Sequence, residues 1–181
     1  ALIIDGGISN KVIDKMGLLV TSEIIKSETI FMFGGSLWPI NGIEVLLKAF
    51  ELNSNPGIRL WFAGKGIDEE IIKTATLNDN RILYLGMLGL DNLYNYYNMS
   101  DVLLNIRVSD SDDCKYFFPS KFFEYLVTGK YVLTSSVSNI KEEYGSICYV
   151  INETTPEKLA DTFEEIHNKS KAELIEVGMK A

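Results

Sequence analysis

Short runs rich in Ile, Leu, Val and aromatic residues recur near residues 30–34, 58–63, 81–85, 101–106, 131–135 and 147–151, and each predicts a buried strand. Between them lie helical patterns near 41–53, 67–76, 89–98, 119–129, 138–144 and 155–169. In the first of these, Glu44, Lys48 and Glu51 share one face while Val45, Leu46, Ala49 and Phe50 supply the other, the spacing of a helix with one side on a core. Strand and helix alternate from about residue 29 to the end. The pattern predicts an α/β fold, a Rossmann-like three-layer sandwich around a mostly parallel sheet. No internal repeat or low-complexity tract interrupts it.

Composition narrows the picture. The chain has 181 residues, the size of one ordinary domain, and 46% of them are apolar, as in a soluble globular protein. No apolar run reaches membrane-spanning length and no signal peptide opens the chain, so membrane contact through this domain is not expected. Seventeen basic against twenty-five acidic residues leave a net charge of −8, which argues against nucleic acid as a partner. Cys114 and Cys148 have neither metal-site spacing nor a disulfide framework, so a cytoplasmic setting is expected.

The richest chemical signal is the run Phe118-Pro119-Ser120-Lys121-Phe122-Phe123-Glu124-Tyr125-Leu126-Val127-Thr128-Gly129-Lys130. Pro119 suits the first turn of a helix, Ser120 can cap its free N–H groups, and Lys121 adds positive charge where a helix dipole already favours an anion. Glu124, one turn on, can accept hydrogen bonds from ribose hydroxyls, and Gly129 ends the helix. Gly34-Gly35-Ser36 lies between a strand and a helix, where backbone N–H groups can cradle a pyrophosphate; a plain tight turn fits equally, because the pair is not a full dinucleotide fingerprint. Gly64-Lys65-Gly66 and Gly86-Met87 also end strands, and the same two readings apply to Lys65.

Other candidates carry less. Asp110-Ser111-Asp112 has the spacing of a metal-nucleotide motif, but a calcium loop is excluded because Lys115 and Lys121 stand where glycine and glutamate are needed. His167 is far from the glycine turns and reads as a surface residue, and Tyr94, Tyr96 and Tyr97 read as helix packing.

The 118–130 run resembles the PSK-x-x-EY-x-x-x-GK element of the C-terminal, donor-binding domain of group 1, family 4-like glycosyltransferases with two facing Rossmann-like domains, the GT-B fold. Residues 30–50 (IFMFGGSLWPINGIEVLLKAF), 60–66 (LWFAGKG) and 82–106 are similar to that family's first strand, glycine turn and helix, its second strand and turn, and the segment passing the base pocket. Residues 1–28 resemble the interdomain linker and lead-in, leaving 29–181 as the nucleotide-sugar-binding domain.

The resemblance implies transfer of a sugar from a nucleotide diphosphate sugar to an acceptor glycan or lipid held by an N-terminal domain outside this chain, with retention of configuration favoured over inversion and no metal or other cofactor. It implies donor contacts from Gly34, Gly35, Ser36, Lys65, Gly86, Met87, Ser120, Lys121 and Glu124, with the backbone at 86–87 reading the base. The chain also departs from the family pattern. Ser36 and Asn41 stand near positions usually taken by arginine and lysine, leaving phosphate charge to Lys121, Lys65 or Arg107. Tyr116 replaces the carboxylate usually found eight residues before Glu124, a role that Asp112 or Asp113 could assume, and Tyr131 replaces a proline. A polysaccharide pathway is the implied setting, with the full-length protein at most peripheral to a membrane. A nucleotide-binding module without transferase activity and a nucleotide-sugar epimerase remain the alternatives; a dehydrogenase is disfavoured because no G-x-G-x-x-G opens the first helix.

Overall fold

All six expected strands form in a computed structural model of the protein, which describes residues 28–108 and 120–180. They are β1 (Thr29–Ser36), β2 (Ile58–Lys65), β3 (Ile82–Tyr84), β4 (Val102–Asn105), β5 (Tyr131–Ser135) and β6 (Tyr149–Ile151). Their order in the sheet is β3-β2-β1-β4-β5-β6, and every pairing is parallel. The helices are α1 (Ile43–Leu52), α2 (Glu69–Asn78), α3 (Leu90–Met99), α4 (Ser120–Leu126), α5 (Ile140–Tyr144), α6 (Pro156–His167) and α7 (Lys171–Gly178).

Because strand side chains alternate between faces, each central strand feeds two cores. Phe31 and Phe33 of β1 join Leu60, Phe62, Val102 and Leu104 beneath α1, α2, α6 and α7. Met32 joins Ala63, Leu103 and Val132 beneath α3, α4 and α5. The expected apolar face of α1 holds, with Leu46, Ala49 and Phe50 buried and Lys48 paired to Glu44 outside at 2.8 Å. Phe163 of α6 closes this side, its ring 4.7 Å from that of Phe31 and 6.3 Å from that of Phe50.

Two differences from the sequence reading have a clear local cause. The helix expected from residue 41 begins at Ile43, after a 3-10 turn at Pro39–Asn41, because Gly42 adopts a left-handed conformation (φ 70°) with no room for a side chain against Ile106. Past the expected helix at 155–169, the chain forms a further helix that the pattern does not predict. α6 stops at His167, and α7 starts afresh behind a capping box in which Ser170 and Glu173 satisfy each other's backbone N–H groups.

Candidate functional site

The strand order reverses direction at β1, where α/β sheets open to ligands. β1 runs beside β2 through Ser36, opposite Lys65, but pairs with β4 only at Phe31 and Met32. Beyond that point the polar groups of Gly34 have no strand partner on the β4 side, and a side chain from α4 takes over. The Tyr125 hydroxyl accepts from the Gly34 N–H at 3.2 Å and donates to the Gly34 carbonyl at 2.8 Å. Lys121, one turn earlier on α4, donates from its ammonium to the same carbonyl.

Beside this junction lies a cavity of about 330 Å³ at the carboxyl edge of the sheet. Its polar side consists of Gly35 and Ser36 from β1, Gly64 and Lys65 from β2, and Lys121. Its apolar side consists of Met87 and Leu88 after β3 and of Leu90 and Leu93 on α3. Backbone closeness shapes the polar side. Gly64 has φ 140°, and a methyl group there would run into the Gly35 carbonyl. A methyl group on Gly35 would come 2.5 Å from Lys121 Nζ, so the missing side chain is what lets the ammonium cross to the glycine turn.

Burial disfavours charge on Lys121 and Glu124 of α4. It pulls the Lys121 ammonium below the usual lysine range, a shift that nearby Glu124 opposes. It pushes the Glu124 carboxyl above the usual range, opposed in turn by Lys121. The Tyr125 phenol is driven up by complete burial, against the Gly34 N–H that favours the charged form, so it remains a donor to the Gly34 carbonyl.

Of the residues expected from sequence, Gly35, Ser36, Lys65, Met87 and Lys121 line this one cavity. Gly34 lies buried beneath them, held by Lys121 and Tyr125. Gly86 adopts φ 66°, and its carbonyl accepts from the Gly64 N–H at 2.8 Å, tying the β3 turn to the β2 turn. Glu124 is half-buried behind Lys121 and is not part of the lining. Ser120 is the first residue of α4. Expectations concerning Pro119, Tyr116, Cys114 and the loop at 109–113 fall outside the described residues.

Arg107 does not line the cavity; its N–H donates to Ser135 Oγ at 2.9 Å. His167 sits at the far, amino end of β1, where its Nδ1 lies 2.8 Å from Thr29 Oγ1. Among the described residues no group of three or more His, Cys, Asp or Glu side chains could hold a metal ion, and no helix is long and apolar enough to cross a membrane. The sequence reading missed Leu90 and Leu93, which look like surface positions of an amphipathic helix. It also missed Tyr125, whose partner is 91 residues away.

A fold with its opening at this strand reversal, flanked by glycine turns and a half-buried cation, defines an α/β domain with a candidate ligand cavity. The family follows from the sequence: residues 28–169 match the model of the group 1 glycosyl transferases, and the chain belongs to that family. No curated protein matches it significantly in sequence.

Among solved structures, the chain resembles the C-terminal domain of a group 1 glycosyl transferase family protein, LpcC, from Francisella tularensis, with a TM-score of 0.69 and 12% identity over 96% of this chain and 95% of that one. It is also similar to Anabaena HepE in complex with UDP-glucose, with a TM-score of 0.67 and 15% identity over 95% of this chain and 47% of HepE. WaaG, a glycosyltransferase involved in lipopolysaccharide biosynthesis, gives a TM-score of 0.67 and 14% identity over 96% of this chain and 47% of WaaG. The chain thus spans less than half the length of HepE or WaaG, and 95% of the LpcC domain.

Proposed function

We propose that this chain is the donor-binding half of a glycosyltransferase that moves a sugar from a nucleoside diphosphate sugar to an acceptor glycan or lipid. The observation that carries the reading is the half-buried Lys121 ammonium, brought across Gly35 to the polar side of a cavity at the strand reversal. A diphosphate laid over Gly35 and Ser36 meets that charge and the Lys65 ammonium, with the base towards Met87. From the family resemblance the reading takes Gly86 at the base and Glu124, outside the cavity lining, at the ribose hydroxyls. During transfer, negative charge grows on the leaving diphosphate, and a cation held in place before the reaction stabilises it at no cost of reorganisation. The reading assigns that task to Lys121 and calls for no metal or other cofactor. It leaves the acceptor to a second domain across the cleft and takes retention of configuration from the family. HepE in complex with UDP-glucose supports a nucleotide sugar as donor. WaaG, involved in lipopolysaccharide biosynthesis, supports a cell-surface polysaccharide pathway.

A second reading, a module that binds nucleotide without transferring sugar, draws on Ser36 and Asn41. Where the family usually has two cations, Asn41 Nδ2 donates to the Ser36 carbonyl at 2.7 Å and shapes the turn. Thermal unfolding with UDP, GDP and ADP tests the shared premise, since a ligand that binds only the native state raises its stability. One of the three is expected to raise Tm at millimolar concentration. No shift with any of them overturns the donor-site reading.

A further inference from the structure

We infer that Tyr125 is the positioning residue of this site: its hydroxyl supplies the hydrogen bonds that β4 does not make to Gly34 and thereby sets both the glycine turn and the place where Lys121 presents its charge. The inference rests on the donor-site reading above and adds to it a residue that touches no ligand.

β1 is paired on both sides only as far as Met32; from there β4 runs on to Asn105 without pairing to it, and the inner edge of β1 has no strand partner. A buried peptide group without a partner is costly, and a loose one leaves the following residues free to rotate. Tyr125 answers both needs with one atom, because a phenol can accept and donate at once. It takes the Gly34 N–H at 3.2 Å and gives to the Gly34 carbonyl at 2.8 Å.

The hydroxyl itself is rigidly placed. Its ring is fully buried and stands edge-on to Tyr97, with centroids 5.3 Å apart. Tyr97 in turn leaves no space for a side chain on Gly34. Gly35 and Ser36, the next residues, line the cavity, so their orientation is inherited from the Gly34 peptide. Lys121 shares the Gly34 carbonyl with Tyr125, which makes that oxygen the common anchor of turn and cation.

Tyr125→Phe removes the hydroxyl and keeps the ring. Binding of UDP, GDP or ADP, whichever the unaltered chain binds, is measured by calorimetry for the unaltered chain, Tyr125→Phe, Lys121→Met and the double variant. The single Tyr125→Phe change is expected to weaken binding about ten-fold. In the double variant the two losses are expected to fall clearly short of their product, because both act through one oxygen. A purely structural role predicts full affinity or independent losses, and either result overturns the inference while leaving the donor site intact. Binding of none of the three nucleotides by the unaltered chain overturns the donor site and this role together.

Amide exchange in the ligand-free, unaltered chain gives an arm that needs no variant. The Gly34 amide is expected to exchange as slowly as those of Phe31 and Phe33, and exchange at the rate of an open loop overturns the clamp even if Tyr125→Phe does not fold.

Discussion

Lys121 lies across Gly35 so closely that a single methyl group on the glycine would come 2.5 Å from Nζ and 3.1 Å from Cε. The obstructing atoms are the end of a long side chain that can swing aside. Gly35→Ala is therefore expected to change thermal stability little while displacing the ammonium and weakening nucleotide binding. Calorimetry paired with a melting curve separates the two effects.

Gly34→Ala is expected to behave in the opposite way. Here the added methyl group meets the hydroxyl and ring of Tyr97, which is fully buried and cannot move off. Overpacking of this kind costs about 1–3 kcal/mol. Denaturant unfolding should show the loss in the absence of any ligand.

Lys121→Ala should weaken binding of the nucleoside diphosphate by about 1.5–3 kcal/mol, the range for a hydrogen bond to a charged group. The free protein should not suffer equally, because burial already disfavours the charged form of this lysine. Unchanged affinity by calorimetry would reduce Lys121 to a clamp on Gly34.

Glu124→Gln should stabilise the free protein at neutral pH and yet weaken nucleotide binding. Burial raises the Glu124 pKa above its unfolded value, with Lys121 opposing, so the folded state binds a proton more readily than the unfolded chain. The stability that this group contributes is complete below the unfolded carboxylate pKa and is lost as pH rises through the folded one. Melting curves across that range should show the decline in the unaltered chain and its reduction in Glu124→Gln. If ribose is the partner, the variant's loss of affinity should be smaller for a deoxyribose analogue.

Arg81 supplies a control far from the cavity. Its guanidinium donates to the carbonyls of Asn53 at 2.6 Å, Asn55 at 3.0 Å and Phe50 at 3.2 Å, pairs with Asp79 at 2.6 Å and lies over the Phe50 ring. Arg81→Ala strips the end of α1 of these donors and should cost about 2–3 kcal/mol of stability. Nucleotide affinity, measured below the lowered melting temperature, should be unchanged.

The central strands were legible because 30–34 and 58–63 are almost unbroken apolar runs, as burial on both faces demands. The glycine turns were legible because they end those runs. α7 was overlooked although Ser170 and Glu173 stand at capping-box spacing, since the apolar pattern after residue 169 is thin. At the site, Lys121 was read as a free charge at a helix start, whereas its ammonium is held by the carbonyl of Gly34, 87 residues away. Local spacing carries no information about such a partner. The apolar side of the cavity was hidden for a similar reason: Leu90 is exposed, and only the fold turns it and Leu93 towards the glycine turns.

The two outermost strands, β3 and β6, have three residues each, against eight in β1 and eight in β2. An open sheet edge is a template on which a foreign strand can be added, and the hazard grows with the length of backbone on offer. Here the longest strands, β1 and β2, lie inside the sheet and not at its borders, and the borders offer only three residues each. Among the described residues, the hydrophobic content of the sheet's centre is thereby kept away from the borders where edge-to-edge pairing would start.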